Sequence, residues 1–251
     1  MITTFLDNLG LPKSCELDRT IFKKMLSDNV DLDVTDKKAL KDDVIKIKWT
    51  HTLKPSTINI EAFADSTREY AEVAILSVEL AKPDRAKRIA GFIHKAIPYP
   101  TLLVMAHGPQ IAISVADKRI NQADKSKWVV EESWLTQWFD PSMDDTAANA
   151  FMAECHISGL PFTNFMAFYS ALRDRAIAMI AATRTGSYTL ATPERTENNI
   201  EHLHEIDRLT REIGELKAKL KKTKQMAQQI TLNTEIKTRK DAIMKLESLM
   251  R

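Results

Sequence analysis

Between Glu72 and Val104 the chain reads EVAILSVELAKPDRAKRIAGFIHKAIPYPTLLV, and no other stretch restricts the fold as strongly. Val73 to Leu80 is an apolar strand that runs into Lys82-Pro83-Asp84. Arg85 to Ala96 has the spacing of an amphipathic helix, Pro98 and Pro100 stop it, and Thr101 to Met105 is a second apolar strand. Strand, helix, strand in this form is a β-α-β unit, which requires a parallel pair with a helix packed across it. Strands apolar on both sides are strands covered on both faces. Val73, Ile75, Leu76, Val78, Ile89, Phe92, Ile93, Leu102 and Val104 are therefore expected in the core.

The flanking segments extend this unit. Leu17, Ile21, Phe22, Met25 and Leu26 have helical spacing, and Thr35-Asp36 is a helix start for 36–42. Ile45, Ile47 and Trp49 alternate, as do Ile58, Ile60 and Ala62, with the turn Lys54-Pro55-Ser56 between them. Ile111 to Val115 reads as a further strand and Lys127 to Glu131 as an edge strand. Beyond residue 140 the pattern is helical: 146–155, then a long Ala-rich helix over 163–183 after Gly159-Leu160-Pro161. In the tail Leu209, Ile213, Leu216 and Leu220 form one apolar seam, and Ile236, Ile243, Leu246 and Met250 a second. The expectation is an α+β or α/β mixed-sheet core over 1–140, helices packed on it over 141–193, and a helical hairpin or coiled coil over 194–251.

Composition narrows the chemistry. With a net charge of +2, nucleic-acid contact has to come from a local patch. Three patches qualify: Lys13, Arg19, Lys23 and Lys24; Arg85, Lys87, Arg88 and Lys95; and Lys217, Lys219, Lys221, Lys222 and Lys224. A solvated helix face with i, i+4 partners is the plain alternative for each. None of the six glycines is spaced as a phosphate-binding loop. Cys15 and Cys155 read as separate reduced thiols of a cytoplasmic protein, with neither a signal peptide nor a membrane span expected. His202 and His204, two apart on a helix, cannot share a metal, and His94 is expected at the surface. Trp128, Trp134, Trp138 and Phe139 are read as core or interface.

The segments LPKS (11–14), IKW (47–49), LKPSTINI (53–60), IHKAIPYP (93–100), KQ (224–225) and LNTEI (232–236) resemble those of a bacterial family of unknown function, domain-of-unknown-function family 4391. The resemblance covers nearly the whole chain. It implies a genomic neighbourhood of helicase and restriction-type genes, and hence antiviral defence, without supplying an activity.

The element order αβββαβ also resembles, in degenerate form, the core of restriction-endonuclease-like nucleases. Such enzymes place a carboxylate on the second strand and Glu-x-Lys on the third, where carboxylates hold a divalent metal and a lysine steadies developing negative charge. Here Glu79 is well placed, but Ala81 occupies the lysine slot, Lys82 comes one residue late, and the second strand offers only Asn59, Glu61 or Asp65. The leading expectation is thus a non-catalytic adaptor without cofactor. It would bind a helicase or restriction-type subunit through its tail, with Lys217, Lys219, Lys221 and Lys222 as candidate nucleic-acid contacts. One alternative is a nuclease using Glu79, Lys82 and a metal such as magnesium; another is a homo-oligomeric scaffold without nucleic acid.

Overall fold

In chain order the computed structural model, which describes residues 1–124 and 127–250, runs α1 (Ile2–Asn8), β1 (Glu16–Thr20), α2 (Lys23–Asn29), α3 (Val34–Asp42), β2 (Val44–Leu53), α4 (Pro55–Ile58), β3 (Phe63–Ala64), β4 (Glu69–Tyr70), β5 (Val73–Leu80), α5 (Ala86–Ala96) and β6 (Thr101–His107). Then follow β7 (Gln110–Ile120), β8 (Trp128–Leu135), α6 (Thr146–Glu154), α7 (Phe165–Thr185), α8 (Pro193–Lys222) and α9 (Met226–Leu249). By its internal contacts the chain divides into Met1–Ile180 and Ala181–Arg251.

The first unit is built on a six-stranded mixed sheet in the order β1-β2-β5-β6-β7-β8. β5 and β6 are the parallel pair, joined through α5, and every other pairing is antiparallel. All nine core residues expected from the central unit are buried. The physical cause is double coverage. Ala74, Leu76, Val78 and Leu80 pack with Ile89, Phe92 and Ile93 of α5, while Val73 and Ile75 face the other side and are equally buried.

Where β6 and β7 splay beyond their last paired rung, Leu103 opposite Ser114, the Tyr169 hydroxyl of α7 takes the place of the next. It accepts from the Ala116 N–H (2.9 Å) and donates to the Thr101 carbonyl (2.9 Å). Lys118 is fully buried below this point; its ammonium donates to the carbonyls of Ile97 (2.8 Å) and Tyr99 (2.5 Å), satisfying the open C-terminus of α5. Burial pulls its pKa down to about 7.

Several local expectations are corrected. Leu17 to Leu26 is not one helix, because Leu17 and Phe22 lie exposed and the segment splits into β1 and α2. The helix start is Asp33, whose carboxylate accepts from the Asp36 N–H (2.7 Å) while Asp36 bonds back, a capping box. Lys54-Pro55-Ser56 opens the short α4, and 58–62 joins no strand of the main sheet. The three strands before the crossover are therefore β1, β2 and β5. His94 is buried on α5, with Nε2 3.0 Å from the Ser114 hydroxyl, because its side of the helix faces the sheet. Arg85 and Arg88 of the second basic patch are paired with Asp43 and with Asp33 and Asp36. Both cysteines are buried and free.

In the second unit α8 and α9 pack as an antiparallel hairpin about the turn 223–225. Ile213 and Leu216 meet Ile236, while Ile206 meets Met250. Arg239 reaches across to Glu212 at 2.6 Å. No described helix is long and apolar enough to cross a membrane.

Candidate functional site

On β5 the residues that do not face α5 near its C-terminal end are Ser77 and Glu79. β2 runs antiparallel beside it and sets Lys46 opposite Glu79 and Lys48 opposite Ser77, with Ile47 turned into the core under α5. Directly opposed side chains on one sheet face stand about 5 Å apart at Cβ. Two lysines therefore flank the carboxylate from the neighbouring strand, although the lysine slot on its own strand is empty.

The edge strand β1 adds more acid. Its ladder with β2 is interrupted between Glu16 and Arg19, and Asp18 takes a left-handed backbone there (φ 45). Aspartate tolerates this conformation better than most residues. The Asp18 carboxylate accepts from Lys48 Nζ at 2.6 Å, and that bond holds its pKa below the usual carboxylate range.

Helix α1 supplies a wall. Phe5 is buried and stacks on Phe151 at 6.2 Å, and the Asn8 amide donates to the Met152 carbonyl (2.6 Å). At the end of this segment Gly10 turns with φ +68 so close to His156 that a Cβ would lie 2.3 Å from its Nε2. This docking leaves Asp7 facing the sheet.

The result is a cavity of about 410 Å³ lined by Asp7, Glu16, Asp18 and Glu79, by Lys46 and Lys48, and by Thr50, His51 and Ser77. Burial lowers the His51 pKa, so its imidazole is neutral at pH 7. With four carboxylates against two ammonium groups, the cavity carries an excess of negative charge. Such a site favours a cation over a bare phosphate. Among the described residues no three of His, Cys, Asp and Glu form a ready-made metal cluster. Magnesium does not demand one: it is commonly held by one or two carboxylates and completed by water and substrate phosphate. The donor set fits an ion of that kind.

Of the residues singled out in the sequence, Glu79 lies in this cavity and Lys82 is not among its lining residues. Lys82 follows the strand end, where its charge acts on Asp43. Asp65 accepts from the N–H groups of Thr67 (2.6 Å) and Arg68 (2.7 Å) in the turn between β3 and β4, and the carbonyl of Glu61 accepts from Phe165 N–H (2.9 Å); neither carboxylate joins Glu79. Asn59 ends α4 in a left-handed conformation. Lys217, Lys219, Lys221 and Lys222 are exposed on the last turns of α8, in the other unit. Sequence reading missed Lys46, Lys48, Asp18, Glu16 and Asp7. The lysines left a signal, since they alternate with Ile47 and Trp49 and so had to share the opposite face.

A family model described as a domain of unknown function (DUF4391) matches residues 9–243. Neither a curated protein nor a solved structure matches the chain.

Proposed function

The chain belongs to the DUF4391 family of domains of unknown function, and from that premise we propose that it is a divalent-metal-dependent nuclease acting through the cavity between β1, β2 and β5. The observation that carries the proposal is the pairing of Lys46 with Glu79 and Lys48 with Ser77, beside Asp18, on one face of the sheet. It supplies carboxylate and lysine together, as the restriction-endonuclease-like chemistry requires, from adjacent strands instead of from one Glu-x-Lys.

Glu79 and Asp18 would hold the cation, which when bound activates water and polarises the scissile phosphate. Lys46 would stand beside the phosphate and offset the negative charge that develops on its oxygens. Lys48 would keep Asp18 ionised and aimed. His51, neutral at pH 7, would be able to accept a proton at the cavity wall. The test incubates the purified chain with plasmid and single-stranded DNA in magnesium, in manganese and in EDTA. Cleavage in either metal and none in EDTA is expected; no cleavage with either metal, or cleavage that survives EDTA, rejects the reading.

A second reading, an adaptor of a prokaryotic defence or DNA-processing system, rests on the hairpin. Its two seams are buried against each other, so what it offers a partner is its outer surface and the lysine-rich end of α8. Reversing Lys221 and Lys222 to Glu is then expected to abolish co-purification with a helicase or restriction-type subunit while leaving helix content unchanged by circular dichroism. Undiminished co-purification removes this reading.

A further inference from the structure

The sheet carries a second cavity, about 730 Å³, beside the first. Glu16 of β1 lines both. Trp49 is the neighbour of Lys48 on β2, so the two project to opposite faces, one toward each cavity. The aromatic walls of the second cavity are Trp49 and Tyr99, both half-buried, with ring centroids 6.1 Å apart in an edge-to-face arrangement.

Both rings pack against the core beneath them, and hydrogen bonds hold the Trp49 ring and the Tyr99 backbone. Trp49 Nε1 donates to the His51 carbonyl at 3.0 Å. The Tyr99 carbonyl accepts from the Thr101 hydroxyl at 2.7 Å and from the buried Lys118 ammonium. Arg19, exposed on β1, also lines the cavity, and among the described residues it takes part in no ion pair. Lys54 does, with Glu72 at 3.1 Å. Rigid aromatic faces beside a free guanidinium form a stacking platform with an anchor for phosphate, the combination used on unpaired nucleotides. A volume of this size accommodates a whole nucleotide.

We propose that this cavity receives an unstacked base of a single-stranded nucleic acid, with Arg19 on an adjoining phosphate. The strand would pass over the β1 edge at Glu16, so that a neighbouring phosphodiester reaches the carboxylate–lysine cavity. The assignment rests on the nuclease reading for its consequence, which is a preference for single-stranded substrate, but its own evidence is binding.

The test is therefore made in EDTA, where no metal-dependent cleavage interferes. Fluorescence anisotropy with the full chain compares a labelled single-stranded oligodeoxynucleotide, the same strand carrying abasic positions, the matching duplex, and a mononucleotide as competitor. Stacking of a base contributes about 1–3 kcal/mol. Removal of the bases is thus expected to weaken binding at least about fivefold. Trp49→Ala should erase the difference between intact and abasic strands, and Trp49→Phe should restore it. Trp49 also packs on the core. If the alanine variant does not fold, the abasic comparison on wild type and Arg19→Ala carry the test. Arg19→Ala, an exposed change, should weaken intact and abasic strands alike and flatten the salt dependence.

Equal affinity for intact and abasic strands overturns the proposal. So does a duplex that binds as tightly as the single strand, or a mononucleotide that competes at the oligonucleotide's own concentration. Base-dependent binding without cleavage in any metal would reject the nuclease and leave this site standing. Cleavage without base-dependent binding would do the reverse.

Discussion

Glu79→Gln is expected to lower metal-dependent cleavage by a factor on the order of 100 to 1,000, the loss typical when one preorganised electrostatic group is removed from an active site. The substitution keeps the side chain's shape and half-buried position at the end of β5, so the strand and its pairing with β2 should persist. What disappears is the charge that Lys46 faces and that a cation would bind. Equal thermal melts for wild type and variant would show that the fold is retained. Lys82→Ala is the matched control. Because Lys82 lies outside the cavity lining, cleavage should stay within about twofold of wild type, as for a surface change remote from the site. A Glu79→Gln variant that cleaves like wild type removes Glu79 from the chemistry, and with it the nuclease reading.

Tyr169→Phe is expected to cost about 2–6 kcal/mol of stability, although it deletes a single oxygen. The hydroxyl bridges two backbone groups that have lost each other as ladder partners, Ala116 N–H and Thr101 C=O, both in buried surroundings. Phenylalanine fills the same space and satisfies neither. Each stranded group costs about 1–3 kcal/mol. For a protein of this size that corresponds to a fall in melting temperature of roughly 4 to 24 °C. Differential scanning calorimetry or a urea titration reads it directly. A loss below about 0.5 kcal/mol, the level of a neutral surface change, would show that the bridge contributes nothing.

The central unit was legible in the sequence because burial on both faces leaves one strong mark. A strand such as Val73–Leu80 can be apolar throughout only if something covers each side. Proline at 98 and 100 marked the end of the crossover helix just as plainly. The site was not legible, for a reason of distance along the chain. Lys46 and Glu79 face each other across strands separated by more than thirty residues, and sequence spacing carries no information on register. A search for Glu-x-Lys looks along one strand and finds Ala81; the lysines sit one strand over. β1 was hidden for another reason. Leu17, Ile21 and Phe22 fall at helical intervals, but Leu17 and Phe22 are exposed, so their spacing reflects no buried face. His94 shows the opposite error: a polar residue beside Lys95 looked solvated, yet it is buried, with the Ser114 hydroxyl at Nε2 and no hydrogen-bond partner at Nδ1.

The irregular backbone of β1 has an effect that reaches beyond one molecule. A strand at the edge of a sheet presents unpaired N–H and C=O groups, and a second copy of the chain could continue the ladder from them. β1 offers a poor template. Its register breaks between Glu16 and Arg19, Asp18 bends the chain through a left-handed conformation, and its five residues are all exposed, with Glu16, Asp18 and Arg19 among them. A straight strand laid alongside would meet a kink and a row of charged side chains. The bend that aims Asp18 at Lys48 thus also makes this edge a poor template for sheet extension between molecules.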